Sequence, residues 1–212
     1  MEGDGLRARK KVRTRRHIAR TAARLFGESG YENVAIIDVA AAADVSEQTV
    51  YNYFPAKQDL VLDRDEHVRD RFVTCVRERT AGTSPADAIR GEALVLTESI
   101  RHIPHDQLNG SLGCLATISP TVRRLSLEMT DRLADAIAEA ICDTTPGTCR
   151  GVAKVHGIAL AWISQTVIDE GGKRIRDGQN PDQIADALRP LVAAIIDDLD
   201  DRFTGTRPGQ TG

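Results

Sequence analysis

The sequence predicts an all-α fold, and three of its features point that way. Apolar residues recur with the 3.6-residue period of a helix through most of the chain. No stretch keeps the two-residue alternation of a half-buried strand, and the hairpin-type dipeptide Asn109-Gly110 is flanked by helical sequence rather than β-branched runs. Helix-breaking residues fall between the periodic stretches, at Gly82 to Pro85, Pro104, Pro120, Thr144 to Gly147 and Gly171 to Pro181. With 212 residues and 41% hydrophobic content, the chain is long enough to bury a core in one domain or two.

Taken in order, the first helix is expected over about 15–28, with Thr14 as its N-cap, Ile18, Ala22, Leu25 and Phe26 as its apolar face and Gly30 as its stop. A short second helix covers Ile36 to Ala42. Ser46 is a natural N-cap for a third, which ends near Phe54 because Pro55 follows. Longer amphipathic helices then follow at about 57–79, 86–103, 120–143, 149–170 and 181–203, the last kinked or bent at Pro190. The expected organisation is a basic arm over 1–13, a three-helix helix-turn-helix domain over 14–56, a helical domain over 57–203 and a flexible Gly/Thr-rich tail over 204–212.

Charge is distributed unevenly. Residues 1–24 hold nine Lys/Arg against Glu2 and Asp4, a charge of +7, so the rest of the chain carries -10 of the overall -3. Such asymmetry suggests that one end meets a polyanion, the competing reading being a solvated basic tail. No apolar run approaches the roughly 20 residues needed to span a bilayer, and the charged start lacks a signal-peptide core, so a cytoplasmic protein is expected. Cys75, Cys114, Cys142 and Cys149 form no C-x-x-C pair and lie in or beside apolar helical segments, as reduced, packed thiols do.

Residues 36–54 have the spacing of a helix-turn-helix: a helix, a turn of three to four residues, and a second helix able to lie in the major groove. The small side chain of Ala40 permits a close crossing, and Val39, Val45 and Val50 supply the apolar contacts that hold its angle. Ordinary helix packing would use the same pattern. The third helix, however, presents Glu47, Gln48, Thr49, Tyr51, Asn52 and Tyr53 with no Leu or Ile. Gln48 and Asn52 can bond adenine edges, the methyl of Thr49 can meet that of thymine, and hydroxyls with Lys57 can bond phosphates.

These residues carry a family resemblance. The stretch RRHIARTAARLFGESGYENVAIIDVAAAADVSEQTVYNYFPAKQDLV resembles the N-terminal domain of TetR-family repressors from Thr14 to about Leu62. The resemblance rests on Phe-Gly-Glu-x-Gly-Tyr at the end of the first helix, Val-Ala-x-x-Ala in the second, the Val-Ser lead into the third, and Thr-Val-Tyr-x-Tyr-Phe-x-x-Lys. It implies a homodimeric, ligand-released repressor bound to double-stranded operator DNA. Tyr51, Tyr53 and Lys57 match backbone-clamping positions, and Gln48, Thr49 and Asn52 match base-facing ones. Ser46, Arg13 and Arg15 complete the expected DNA-contacting set, the arginines by reaching phosphates or the minor groove from the basic arm. Two departures stand out: Asp44 occupies the place of the usual turn glycine, and Ala35 and Ile37 that of a usual Thr and basic residue.

Past Leu62 the resemblance is one of layout. It implies that the last two helices form a dimer bundle, consistent with the apolar residues Val152, Val155, Ala159, Trp162, Ile163 and Thr166 on the first and Ile184, Leu188, Leu191, Ile195 and Leu199 on the second. A monomer burying both stripes internally is the alternative. Candidate contacts to a small-molecule effector are Leu94, Leu125, Met129, Leu133, His156, Leu160 and Ile163, for each of which packed core is the plain alternative. With only 4% aromatic residues, an apolar or acyl-type effector is expected over a stacked planar one. His102 and His105 with nearby Cys114 fit no common zinc spacing, and no cofactor is expected. The chain has no Gly-rich phosphate loop, G-x-S-x-G or H-E-x-x-H, which disfavours an enzyme; a non-regulatory interaction module would not need the polar third helix.

Overall fold

The computed structural model describes residues 2–63 and 65–205, with side chains described over 8–63 and 65–203. The expected tail over 204–212 therefore lies mostly outside the described residues. Among them every regular element is helical: α1 (Glu2–Ser29), α2 (Ile36–Ala42), α3 (Glu47–Tyr53), α4 (Asp65–Arg77), α5 (Pro85–Ser99), α6 (Leu112–Ala116), α7 (Pro120–Thr144), α8 (Arg150–Arg176) and α9 (Pro181–Gly205). Single turns of 3-10 helix at Lys57–Leu60, Ile100–His102 and His105–Gln107 join some of them. The all-α expectation holds. No helix of the described residues is long and apolar enough to cross a membrane.

Helix α1 differs from expectation at its start. Thr14 does not cap it; the helix runs unbroken from Glu2, so the basic arm is helical rather than a separate segment. Leu6 to Arg13 favour this, since Leu, Arg, Lys and Ala are good helix formers and no proline intervenes, while Gly3 and Gly5 are the weak formers of the stretch. The anchoring face is Ile18, Ala22 and Phe26, each at most 1% exposed and four residues apart. Gly30 ends the helix with φ 83°, its amide bonding the Phe26 carbonyl.

The helix-turn-helix appears as read. Ser46 caps α3, its hydroxyl accepting the Thr49 amide at 3.1 Å, and Asp44 takes the left-handed turn conformation at φ 52°. Ala40 is buried at the crossing with Val39 and Val50. Asp38 bonds back to the Ala35 amide at 2.7 Å, opening α2 without a side-chain cap at position 35.

Two hydrophobic cores organise the chain. The first joins α1–α3 and Leu60 to Leu115, Ala116, Val122 and Leu125, so α6 and the start of α7 belong to the packing of the N-terminal domain. The second fills the space among α4, α5, α7, α8 and α9. The long helices depart from sequence expectation in three places. Residues 57–63 form a 3-10 turn and loop ahead of α4. Helix α6, within 105–116, was not foreseen. Helix α8 runs through Gly171 and Gly172 to Arg176.

Gly172 explains the third difference. A Cβ on Gly172 would lie 2.0 Å from the Gly113 carbonyl oxygen, and one on Gly113 2.6 Å from that of Ile168. They mark a close backbone crossing of α6 on α8 rather than a break. Helix α9 likewise continues through Pro190. Ile184, Leu188, Val192 and Ile196, all fully buried, seat both halves on one core, while Pro190 occupies the exposed side.

Candidate nucleic-acid interface and ligand cavity

Helix α3 is anchored through one fully buried side chain, Val50, and turns the rest of its sequence outward. Glu47, Gln48, Tyr51 and Asn52 are exposed, and the Gln48 amide donates to Asn52 Oδ1 at 3.2 Å, setting the two side chains beside one another. The Ser46 and Thr49 hydroxyls lie 2.8 Å apart. This is a polar surface on a seven-residue helix with both ends fixed, which suits insertion into a groove.

The fixing comes from outside the motif. Arg15 Nη1 donates to the Tyr53 carbonyl at 2.7 Å, Arg15 Nε donates to Asp63 at 2.8 Å, and the guanidinium stacks 4.4 Å over the Phe54 ring. His17 Nε2 lies 3.1 Å from the Ala43 carbonyl, so it is the protonated nitrogen that bonds there. Lys57 Nζ donates to the Tyr31 carbonyl at 2.5 Å and rests 4.2 Å over the Tyr31 ring; burial lowers its pKa below the ordinary lysine value. Arg15 and Lys57, expected to reach phosphates, are thus engaged within the domain, bracing α3 and the strand of chain that follows it. Arg13 remains exposed, and Tyr53 is half-buried. A fourth tie, Ser119 donating to Glu32, fastens the loop after α1 to the N-cap of α7 and is the leading reason the Glu32 carboxyl sits below its ordinary pKa.

Sequence reasoning missed these ties for a physical reason. The partners Arg15 and Tyr53 stand 38 positions apart, and Glu32 and Ser119 stand 87 apart. A basic run shows that arginines are present, but not which of them folds back.

A cavity of about 720 Å³ opens between the two domains, walled by α1, the 60–65 segment, α4, the end of α5, the 110–113 segment, α7 and α8. Its size falls in the range of small-molecule sites. Of the seven expected ligand contacts, Met129 and Leu133 line it. The other five lie elsewhere. Leu125 is packed in the N-terminal core, because the first turns of α7 lie under that domain. Leu160 and Ile163 are fully buried in the second core, and Leu94 packs against it. His156 meets Phe203 with ring centres 4.1 Å apart, and its burial lowers its pKa. Among the described residues no three His, Cys, Asp or Glu side chains converge on a metal position; His102 and His105 are exposed while Cys114 is buried.

On the outer side of α8, Val152, Val155, Ile158 and Trp162 form an exposed apolar stripe, Val155 at 64% and Trp162 at 45%. Ile163, expected on that stripe, faces inward. On α9 the expected stripe divides: Ile184 and Leu188 are inside, and Leu191, Ile195 and Leu199 are half-buried.

Comparison with known proteins agrees with this geometry. Residues 18–63 match the sequence model of the family described as bacterial regulatory proteins, tetR family. The HTH-type transcriptional regulator TcmR of Streptomyces glaucescens is 31% identical over 144 residues, covering 64% of this chain and 64% of that protein. An uncharacterized HTH-type transcriptional regulator of Bacillus subtilis (strain 168), YuxN, is 33% identical over 197 residues, covering 87% of this chain and 64% of that protein. The matched region thus spans 64% of the length of each relative. A solved structure of a TetR-family regulator from Rhodococcus sp. superposes with TM-score 0.50 at 16% identity, covering 88% of this chain and 98% of that one, a likeness of fold alone.

Proposed function

We propose, from the premise that the N-terminal domain of this chain belongs to the TetR family of bacterial regulatory proteins, that the protein is a ligand-released transcriptional repressor binding a near-palindromic operator as a homodimer. The observation that carries this reading is α3: its backbone is fixed by Ser46 and Arg15, while Gln48, Thr49, Tyr51 and Asn52 lie along its outer side. Gln48 and Asn52 read base edges, Thr49 meets a thymine methyl, and Tyr51, Tyr53 and Ser46 hold phosphates. Arg13 and the other exposed cations of α1 add sequence-independent attraction. Arg15 and Lys57 act as braces of the reading head. A polar helix of this kind is wasted on an enzyme or a general interaction module.

The exposed stripe of α8, continued by the half-buried Leu191, Ile195 and Leu199 of α9, supports a two-fold pairing through these two helices. Such a dimer sets its two α3 helices about 34–36 Å apart, one turn of DNA. The effector enters the cavity between the domains, whose walls favour an apolar or acyl-type molecule. It favours a wider spacing of the α3 helices, and a hundredfold loss of operator affinity needs a preference for the wide state of about 2.7 kcal/mol. Hydroxyl-radical footprinting of the protein on its own upstream DNA tests the reading. The expected pattern is two protected patches one helical turn apart, related by a near-palindrome and lost on effector addition; a single patch or uniform protection would overturn the dimeric operator reading.

A further inference from the structure

The floor of the cavity is aliphatic. Leu96 of α5, Ile100 of the 3-10 turn that follows it, Met129 and Leu133 of α7 and Val167 of α8 line it, and the only aromatic ring among its described lining residues is the imidazole of His102. A flat aromatic ligand would find a single small ring to stack on, that of His102, whereas an alkyl chain would be in contact along its length.

The rim is charged, and its charges do not cancel. Arg15 and Asp63 neutralise one another at 2.6 Å, as Asp65 does with Arg132 at 3.0 Å. Arg69 meets Glu66 and Asp70 only at 3.8 and 3.7 Å. Arg16 and Arg20, both exposed, form no ion pair among the described residues. Their four-residue spacing sets two like charges on one face of α1, an arrangement that is mildly unfavourable until an anion sits between them.

We propose that this cavity is a site for an aliphatic monocarboxylate, its chain on the apolar floor and its carboxylate held at the rim by Arg16 and Arg20 of α1 with Arg69 of α4. The proposal rests on the ligand-responsive reading above and names the ligand class for it. A guanidinium bonds a carboxylate through charge-assisted, often bidentate hydrogen bonds, which a neutral alcohol of the same length does not receive. The placement also makes α1 a shared part. One face of it holds the carboxylate, while Arg15 on the same helix braces the end of α3 through the Tyr53 carbonyl. A ligand that draws α1 toward α4 therefore acts on the reading head without an intermediate helix.

The test is isothermal titration of the full chain, without DNA, with decanoate and with 1-decanol. The two ligands are titrated into the wild type, the Arg16→Ala/Arg20→Ala variant and the Arg16→Lys/Arg20→Lys variant. Decanoate is expected to bind the wild type at least about tenfold tighter than decanol, a difference of about 1.4 kcal/mol. The Ala pair should erase that difference while leaving decanol unchanged, and the Lys pair should keep most of it. Equal affinities for the two ligands, no decanoate binding, or an Ala pair that weakens DNA binding but not decanoate binding would each overturn the proposal, the last by making the arginines phosphate contacts only. Operator binding by the wild type is measured separately. A chain that selects an operator but ignores decanoate retains its regulatory reading and loses this site; one that takes decanoate but selects no DNA retains the site and loses the regulator.

Discussion

Arg15 illustrates how one side chain can matter more for where it is tied than for its charge. Its guanidinium joins the last carbonyl of α3 to Asp63 and covers the Phe54 ring, so Arg15→Ala frees the end of α3 without touching its exposed polar residues. Operator affinity measured by fluorescence anisotropy should fall at least about tenfold, roughly 1.4 kcal/mol, with little change in its salt slope. A slope reduced by about one unit would instead make Arg15 a phosphate contact. Glycines allow a sharper contrast. A Cβ on Gly110 would stand 1.6 Å from the Ala23 carbonyl oxygen, and Gly172 is nearly as tight, whereas Gly91 on α5 has open space around it. Thermal denaturation should show Gly110→Ala and Gly172→Ala destabilised by about 1–3 kcal/mol or more through overpacking. Gly91→Ala should be stabilised by about 0.5–1 kcal/mol through reduced backbone freedom. The Asn109-Gly110 pair was visible in the sequence as something other than a hairpin, but its closeness to α1 is a tertiary fact that local chemistry does not encode.

At the level of elements, α2 and α3 were legible because their signals are local: Ser46 as cap, Asp44 in the left-handed turn, Pro55 beyond the end, and apolar positions at helical spacing. The start of α1 and the reach of α8 were not. Both were misjudged from residues that usually stop or cap a helix, Thr14 and Gly171-Gly172, and in both cases the chain continues. In α8 Gly172 serves a crossing with α6, and packing overrides its low propensity. The sequence stripe assigned to α8 mixed two faces, which the fold separates: Ile163 inside, Val152, Val155 and Trp162 outside. Charging the outer face should therefore spare the fold and break the pairing. In sedimentation equilibrium the wild type should run at twice the 23.1 kDa chain mass, and Val155→Glu/Trp162→Glu at the single-chain mass with unchanged helical circular dichroism. A wild-type monomer would remove the basis for a palindromic operator.

For the molecule as a whole, two cores meet across α6 and α7 rather than at a linker. Leu115, Ala116, Val122 and Leu125 complete the packing of the N-terminal domain, and Met129 and Leu133, further along α7, line the cavity. Along α7, Met129 and Leu133 lie about one and two turns from Leu125, which packs in the N-terminal core. This continuity explains why the cavity lining was only partly legible. Periodicity identifies α7 as amphipathic but cannot say that its first turns serve one domain and its later turns the other. The charge asymmetry, by contrast, was legible at once, because it needs no contacts to be read. The central claim is selective DNA reading by α3, and competitive binding of the full chain to a near-palindrome from its own upstream region and to a scrambled duplex, at two salt concentrations, tests it most directly. The expected result is a preference for the specific site of about 10³ or more at physiological salt. Affinity for both duplexes should fall as salt rises, and the preference should be lost in Tyr51→Ala/Asn52→Ala without loss of the folded state. Equal affinity for both duplexes, or a preference that survives the double substitution, would contradict it.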